Sequence, residues 1–229
     1  MDISLRLKIV AQMVDNCDCA ADIGTDHGYI PIYLIKNNIC KKAIASDINV
    51  GPIERAKLNV KLENLEDKID CRLGSGLSTI SPGEAEEVII AGMGGNLIRD
   101  IIENHMEVFK KSRSFILQPM QNSEVLREYI YKRGFKIADE ELCIDENRFY
   151  EIIKIEYDTV VKKVDSIFYE VGKILVEKRH KYLFEFIENK IKNCNKIILN
   201  IKDNTESANK RKKDLEVRIK RLQELISCI

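Results

Sequence analysis

Apolar residues along this chain follow two rhythms. Up to about residue 158, short blocks apolar at every position alternate with stretches in which apolar residues return every three or four positions. Blocks of the first kind suit strands covered on both faces, and the second pattern suits amphipathic helices. An opening helix is predicted over 4–14, capped by Ser4, with Leu5, Ile9 and Met13 on one face. Strands are predicted over 19–23, 42–47, 69–73, 87–91 and 114–117. Helices are predicted over 31–38, 52–63, 96–105 and 123–133, with Pro52 well placed in a first turn. The blocks 135–143 and 149–157 have no helix between them and should pair as an antiparallel hairpin. The expected fold is therefore α/β, with a seven-stranded, mostly parallel sheet. Its ligand belongs at the carboxyl ends of the strands, beside the first.

Beyond residue 158 the rhythm changes. Residues 165–178 read as a helix or linker. Phe184, Ile187, Ile191, Cys194, Ile198 and Ile201 are then spaced 3-4-3-4-3, and Leu215, Ile219, Leu222, Ile226 and Ile229 are spaced 4-3-4-3. Two such seams around Asp203-Asn204-Thr205 predict an antiparallel helical coiled coil, its later helix about 35 Å long at about 1.5 Å per residue. Two domains follow: 1–158, which carries the ligand loop, and 159–229, the helical coiled coil. Such an arm could cross an RNA, pair with a second copy, or fold back on the sheet; a monomer is expected, with a coiled-coil dimer left open.

Charge separates the same two parts. Lys+Arg and Asp+Glu both number 37 in the chain, but from Thr159 onward 17 basic residues face 10 acidic ones. A net +7 on the appendage against −7 on the rest fits a polyanionic partner such as RNA, although a solvated Lys-rich helix surface has the same composition. No apolar run approaches the roughly 20 residues of a membrane span, and Met1-Asp2-Ile3-Ser4 shows no leader pattern, so a cytoplasmic protein without membrane attachment is expected. The seven cysteines are scattered and only three histidines are present, which predicts reduced thiols and no metal.

The candidate chemistry centres on Asp22-Ile23-Gly24-Thr25-Asp26-His27-Gly28-Tyr29, a strand–loop–helix opening. Gly24 and Gly28 let the backbone approach a ligand, and the new helix turns its N–H groups toward it. A dinucleotide loop would read G-x-G-x-x-G; here the glycines stand four apart with Asp26 between them. A carboxylate there repels a pyrophosphate and suits a cationic, amino-acid-bearing ligand such as S-adenosylmethionine. Asp22, Gly24, Thr25, Asp26, His27 and Gly28 are thus cofactor candidates, and the sheet becomes that of a class I Rossmann-like methyltransferase. Asp26 and His27, the titratable pair of the loop, are the catalytic candidates: one could orient the acceptor or take up a proton.

The other strand ends complete the candidate site. Asp47 could accept hydrogen bonds from both ribose hydroxyls, with Ile48 and Asn49 beside the adenine. Gly74, Ser75 and Gly76 follow the third strand, where the adenine edge would be read. Ala91, Gly92 and Met93 follow the fourth, where methyl donor and acceptor should meet, and Gly94 and Gly95 leave room for a flat base. No Asn/Asp-Pro-Pro-aromatic motif for exocyclic amines and no Pro-Cys nucleophile is present. A ring nitrogen such as adenine N1 needs mainly positioning. Gln118-Pro119 and Arg148-Phe149-Tyr150 border the same rim and could clamp a base.

Together with Gly92-Met93-Gly94-Gly95, Leu117-Gln118-Pro119 and Arg148-Phe149-Tyr150-Glu151, the Asp22–Tyr29 loop resembles the TrmK family of bacterial tRNA (adenine-22-N1)-methyltransferases. The resemblance runs the length of the chain. It implies S-adenosylmethionine as methyl donor, adenine N1 at position 22 of tRNA as acceptor, and a coiled coil that helps hold the tRNA. Ser75 stands where that pattern has an aspartate. Three alternatives remain at this point: a methyltransferase with another acceptor, a non-catalytic S-adenosylmethionine- or RNA-binding protein, and a nicotinamide oxidoreductase, against which Asp26 argues.

Overall fold

The computed structural model describes residues 3–161 and 163–229; Met1 and Asp2, read above for a leader, lie outside it. The chain divides into two compact units, Met1–Val164 and Asp165–Ile229.

The first unit opens with helix α1 (Leu5–Gln12), where the Ser4 side chain accepts from the Leu7 N–H as expected of a cap. Strand β1 (Cys17–Ile23), helix α2 (Tyr29–Lys36), β2 (Cys40–Asp47), α3 (Val50–Leu62) and β3 (Ile69–Leu73) follow. Strand β4 (Glu87–Gly94) leads directly into α4 (Gly95–Asn104) and the short α5 (Met106–Lys111), which the pattern did not predict. Then come β5 (Ser114–Gln121), α6 (Ser123–Arg133), β6 (Lys136–Asp145) and β7 (Arg148–Glu156).

These strands form one seven-stranded sheet in the order β3-β2-β1-β4-β5-β7-β6. The first five run parallel to one another, and β7 runs antiparallel to both β5 and β6. Helices α1 to α3 bury their apolar stripes on one face (Val10, Leu34, Val60), and α4 to α6 on the other (Ile98, Phe109, Ile130). Successive residues of β4 feed the two cores in turn: Ile89 belongs to one, Val88 and Ile90 to the other. That is why the strand is apolar throughout. Chain order reverses between β1 and β4, which places the switch-point crevice at their carboxyl ends.

At the rim of the site, β4 and β5 run further than expected. Residues 92–94 were read as a loop but extend β4, and β5 continues past Leu117 through Gln118 and Pro119 to Gln121. The register slips between Ala91, Met93 and Gly94, so the added segment is a bulged ladder.

In the second unit, α7 (Ile167–Val171) and α8 (Lys173–Glu177) meet at Gly172 and are followed by α9 (Leu183–Asn200) and α10 (Glu206–Ser227). Thr205 caps α10 by accepting from the Ala208 N–H. One cleft is lined by Glu185 and Glu188 near the start of α9 and by Gln223 and Ile226 near the end of α10, so the two helices are antiparallel. Leu183, Phe186, Ile187 and Cys194 face Leu215 and Leu222 as the buried seam. Phe184, placed on that seam by its spacing, is instead exposed, because the helix starts its buried stripe at Leu183. Arg218 pairs with Glu170, and Arg221 with Asp165, which ties α10 to the start of the unit.

Candidate functional site

At the switch point, the first turn of α1, the loop after β1, the start of α2 and the end of β4 enclose a cavity of about 440 Å³. Glycine chemistry shapes it. Gly24 (φ +80°) and Gly28 (φ +69°) both occupy left-handed backbone. A Cβ on Gly24 would lie 2.1 Å from Met93 Cε, the flexible end of a side chain that can swing aside, so it is the left-handed backbone that calls for glycine there. The N–H groups of Gly24 and Thr25 both donate to the Ser46 carbonyl, at 2.8 and 2.9 Å. Thr25 Oγ1 accepts the Gly28 N–H at 3.1 Å. The loop is thus closed upon itself and upon β2, with its concave side toward the cavity.

Asp22 lines that cavity and is only 5 % exposed. Burial raises its carboxyl to about 6; the Thr25 hydroxyl bonded to it opposes the shift, and the nearby Asp47 charge adds to it. Among the described residues, no cationic side chain pairs with Asp22. Asp26 differs. Its carboxylate is bound by Arg55 of α3 and lies 3.2 Å from His27 Nε2. The His27 ring stacks on Tyr29, with centroids 4.9 Å apart, and the Asn59 side chain donates to its carbonyl. Arg55 offsets the Asp26 charge that made the loop look hostile to a pyrophosphate, which leaves Asp22 as the buried carboxyl of the loop with no cation partner among the described residues.

Asp47, Ile48, Asn49, Gly74, Ser75 and Gly76 lie together beyond the cavity, at the ends of β2 and β3. Asp47 is paired with Leu73 across the sheet, and its carbonyl accepts the Gly74 N–H. Its Oδ1 accepts from the backbone and side chain of Asn49, at 2.7 and 3.1 Å. Ile48 and Leu73 flank it as exposed apolar side chains, 64 % and 56 % accessible. Ser75, whose carbonyl accepts from Ser78, stands exposed before a single 3₁₀ turn (Gly76–Thr79).

Ala91 and Gly92 reach the cavity, and Gly92 is left-handed (φ +80°) with open space where a Cβ would be. Gly95 does not make room for a base. It is buried, and a Cβ on it would lie 2.3 Å from the Asn122 carbonyl, so it admits the turn after β5 against α4. Gln118 is fully buried and bonds Arg6. Alternation along β7 sends Phe149 and Tyr150 to opposite faces of the sheet. Tyr150 packs with the α1 side of the core, so the two rings cannot sandwich one base.

Sequence reasoning missed the α1 contribution. Ile3, Ser4, Arg6 and Leu7 line the cavity, and Tyr29 and Ile30 add to it from α2. Arg6 Nη1 donates to Gln118 Oε1 at 2.5 Å, its guanidinium lies 5.4 Å from the Tyr150 ring centroid, and its backbone N–H donates to Asp145. No sequence signal marks it, because a lone arginine in an amphipathic first turn reads as solvated.

Among the described residues, no group of three His, Cys, Asp or Glu could hold a metal ion, and no helix is long and apolar enough to cross a membrane. A methyltransferase-domain family model matches residues 3–153. The tRNA (adenine(22)-N(1))-methyltransferase of Bacillus subtilis is 32% identical over 235 residues, covering 99% of this chain and 98% of its own. The structure of Streptococcus pneumoniae Sp1610 in complex with S-adenosyl-L-methionine superposes with a TM-score of 0.86 at 29% identity, covering 98% of this chain and 99% of that one. M. capricolum TrmK, bound to the cofactor product S-adenosyl-homocysteine, superposes at 0.83 with 27% identity over 98% and 99%.

Proposed function

This chain belongs to the TrmK family of tRNA (adenine(22)-N(1))-methyltransferases, and from that premise we propose how its residues methylate N1 of adenine 22 in tRNA with S-adenosylmethionine as donor. The observation that carries the reading is Asp22: a buried carboxyl in a glycine-built cavity, with no cation among the described residues to balance it. A ligand ending in an α-ammonium group supplies that balance, and a nicotinamide dinucleotide does not.

The donor set fits S-adenosylmethionine along its length. Asp22 and the backbone of Gly24, Thr25 and Gly28 hold the amino-acid end. Asp47 takes the ribose hydroxyls, with Oδ1 already oriented by Asn49. Ile48 and Leu73 are exposed apolar surface that an adenine ring would cover, and Asn49, Gly74, Ser75 and Gly76 border its edge. Ala91, Gly92 and Met93 close the reacting end. When bound, S-adenosylmethionine supplies an electrophilic sulfonium methyl group. Adenine N1 already carries an in-plane lone pair at neutral pH, so the chain's task is to place the base and exclude water. Gly94, Pro119, Arg148 and Phe149 form the acceptor rim in this reading, with the buried Gln118 and the ring of Tyr150 behind it. After transfer the adenine ring bears the positive charge. Asp26 and His27 stand at the cavity wall to stabilise that charge or accept its proton.

The basic C-terminal part of the chain, 159–229, is the part we assign to grip on the tRNA body, in a cytoplasmic protein that acts as a monomer. The test is methyl transfer from labelled S-adenosylmethionine to an unmodified tRNA transcript, with nucleoside mass spectrometry of the product. N1-methyladenosine that disappears when adenine 22 is replaced is the expected result. Tight cofactor binding with no transfer to any tRNA would overturn the assignment.

A further inference from the structure

Strand β5 is buried at every residue from Ser114 to Pro119, and Met120 then emerges 47 % exposed. Gln118 and Met120, two residues apart, share one face of the strand. It is the face of α1, since Gln118 Oε1 accepts from Arg6 in the cavity wall. The Gln118 amide also reaches forward along its own strand. Its Nε2 donates to the Pro119 carbonyl at 3.0 Å and to the Met120 sulfur at 3.6 Å. An exposed methionine is ordinarily free about three rotatable bonds. This one has its thioether tied to a buried group. On the neighbouring strand, Met93 pairs with Pro119 and Gly94 with Gln121, so the end of β4 runs alongside Met120. There Gly92 reaches the cavity and has open space in place of a Cβ. An anchored apolar side chain and a gap thus stand on adjacent strand ends.

Resting on the methyltransferase reading above, we propose that Met120 is an acceptor-binding residue whose thioether seats the face of the target adenine over the Gly92 gap. Singly exposed apolar side chains are ordinary on a protein surface. The anchored sulfur and the adjacent opening set this one apart. Its chemistry also suits the acceptor. N1 attacks only with its lone pair free, and an N–H or O–H at the rim would hydrogen-bond that lone pair. A thioether has no donor, so it can hold the ring by its face and leave N1 unengaged. Sulfur is polarisable and makes favourable contacts with aromatic rings. That softness also accommodates the positive charge the ring bears after transfer. The nearest aromatic candidate on this face, Tyr150, already has the Arg6 guanidinium against its ring. The alternative occupant of Met120 is a neighbouring nucleotide. We favour the adenine because the gap beside Met120 opens into the cavity where the methyl donor sits.

The first test is a footprint on the full wild-type chain. Dilute peroxide converts an exposed methionine to its sulfoxide, and peptide mass spectrometry follows that change at Met120. An unmodified tRNA transcript, bound in the presence of S-adenosyl-homocysteine, should slow the oxidation of Met120 at least about threefold. The same transcript with an abasic site at position 22 should bind but leave Met120 unprotected. Equal protection by both transcripts would overturn the proposal, because the RNA would then cover Met120 without its base. No protection by either bound transcript would overturn it as well. The second test is steady-state methyl transfer. Met120→Ala should lower kcat/KM for tRNA by about tenfold, the upper range for a sulfur–ring contact, with S-adenosylmethionine affinity and melting temperature unchanged. Met120→Leu, which keeps the bulk, should recover most of that loss. An unchanged kcat/KM in Met120→Ala, or a loss matched by weaker cofactor binding, would also refute the assignment. A wild type that neither binds nor methylates the intact transcript would instead sink the methyltransferase reading itself.

Discussion

Two regions of the first unit bury charge, and they do so in opposite ways. On the α6 side of the sheet, Arg127 is fully buried between two carboxylates. Its Nε donates to Glu140 at 2.7 Å and its Nη1 to Glu151 at 2.5 Å, while the Ser123 hydroxyl donates to the other Glu151 oxygen at 2.6 Å. Burial opposes the arginine's charge, but the two glutamates hold its pKa above the ordinary arginine value. Across the sheet, Asp22 is also buried but pairs with no cation among the described residues; its carboxyl is pushed up to about 6. A buried charge balanced by its own chain is architecture, because its counter-charge is already in place. A buried charge left open is a site, because its desolvation is relieved only when something binds.

The paired cluster gives the largest expected effect. Arg127→Met would leave Glu140 and Glu151 buried without their common cation. Removal of one partner from such a cluster costs about 3–5 kcal/mol, so the urea midpoint should fall sharply. Cofactor affinity per folded molecule should change little, since neither glutamate lines the cavity. A stability loss below about 1 kcal/mol would break the contrast, by showing that the triad is dispensable.

Asp22→Asn should act with the opposite sign on stability. The native carboxyl titrates near 6, above the ordinary 3.8, so the folded chain holds that proton more tightly than the unfolded chain. This contribution is fully present below about pH 4, and is lost as pH rises through about 6; the limiting cost is about 3 kcal/mol. The unliganded asparagine variant should therefore match or exceed the wild type in stability at pH 7. It should nonetheless bind S-adenosylmethionine on the order of 100-fold more weakly. In the wild type, affinity should drop by up to about tenfold for each pH unit below 6, as the carboxyl protonates, and in the variant that slope should vanish. A flat wild-type profile between pH 5 and 7 would remove Asp22 from the cofactor's ammonium.

The same contrast explains what could be read from the residues alone. The alternating strands and helices, the hairpin of β6 and β7 and the Gly24–Gly28 loop follow from local rules: period, helix caps, and backbone angles that glycine tolerates. Asp22, Asp26 and Asp47 were legible as candidate site residues because each ends a strand or sits in that loop. Their partners were not, because partnership is tertiary. Arg55 is 29 residues from the Asp26 it binds, and Arg6 is 112 from Gln118. Arg127, Glu140 and Glu151 look like surface charges in a helix and a hairpin, and only the packing of α6 buries them. Gly95 shows a related limit. A glycine-rich run reads as a loop, yet β5 supplies a ladder to Gly94, and Asn122 fills the space beside Gly95.

Asp47 provides the smallest test, and a control on the rest. It lies at the end of β2, next to β1, and its charge contributes to the raised pKa of Asp22. Unlike Asp22 it is half-buried, with one oxygen committed to Asn49, so water already solvates part of the charge. Hydrogen bonds from two ribose hydroxyls would thus replace water rather than relieve a buried ion, and Asp47→Ala should weaken S-adenosylmethionine binding by about tenfold, less than Asp22→Asn. The variant also removes a neighbouring negative charge from Asp22, so the pH at which cofactor affinity falls should move down, not up. A smaller loss in affinity together with a lowered titration midpoint would assign the two aspartates to different ends of one ligand. If Asp47→Ala instead left affinity unchanged at pH 7.5, where Asp22 is ionised in both proteins, the ribose assignment would fail, and the exposed Ile48 and Leu73 would lose their reason to surround it.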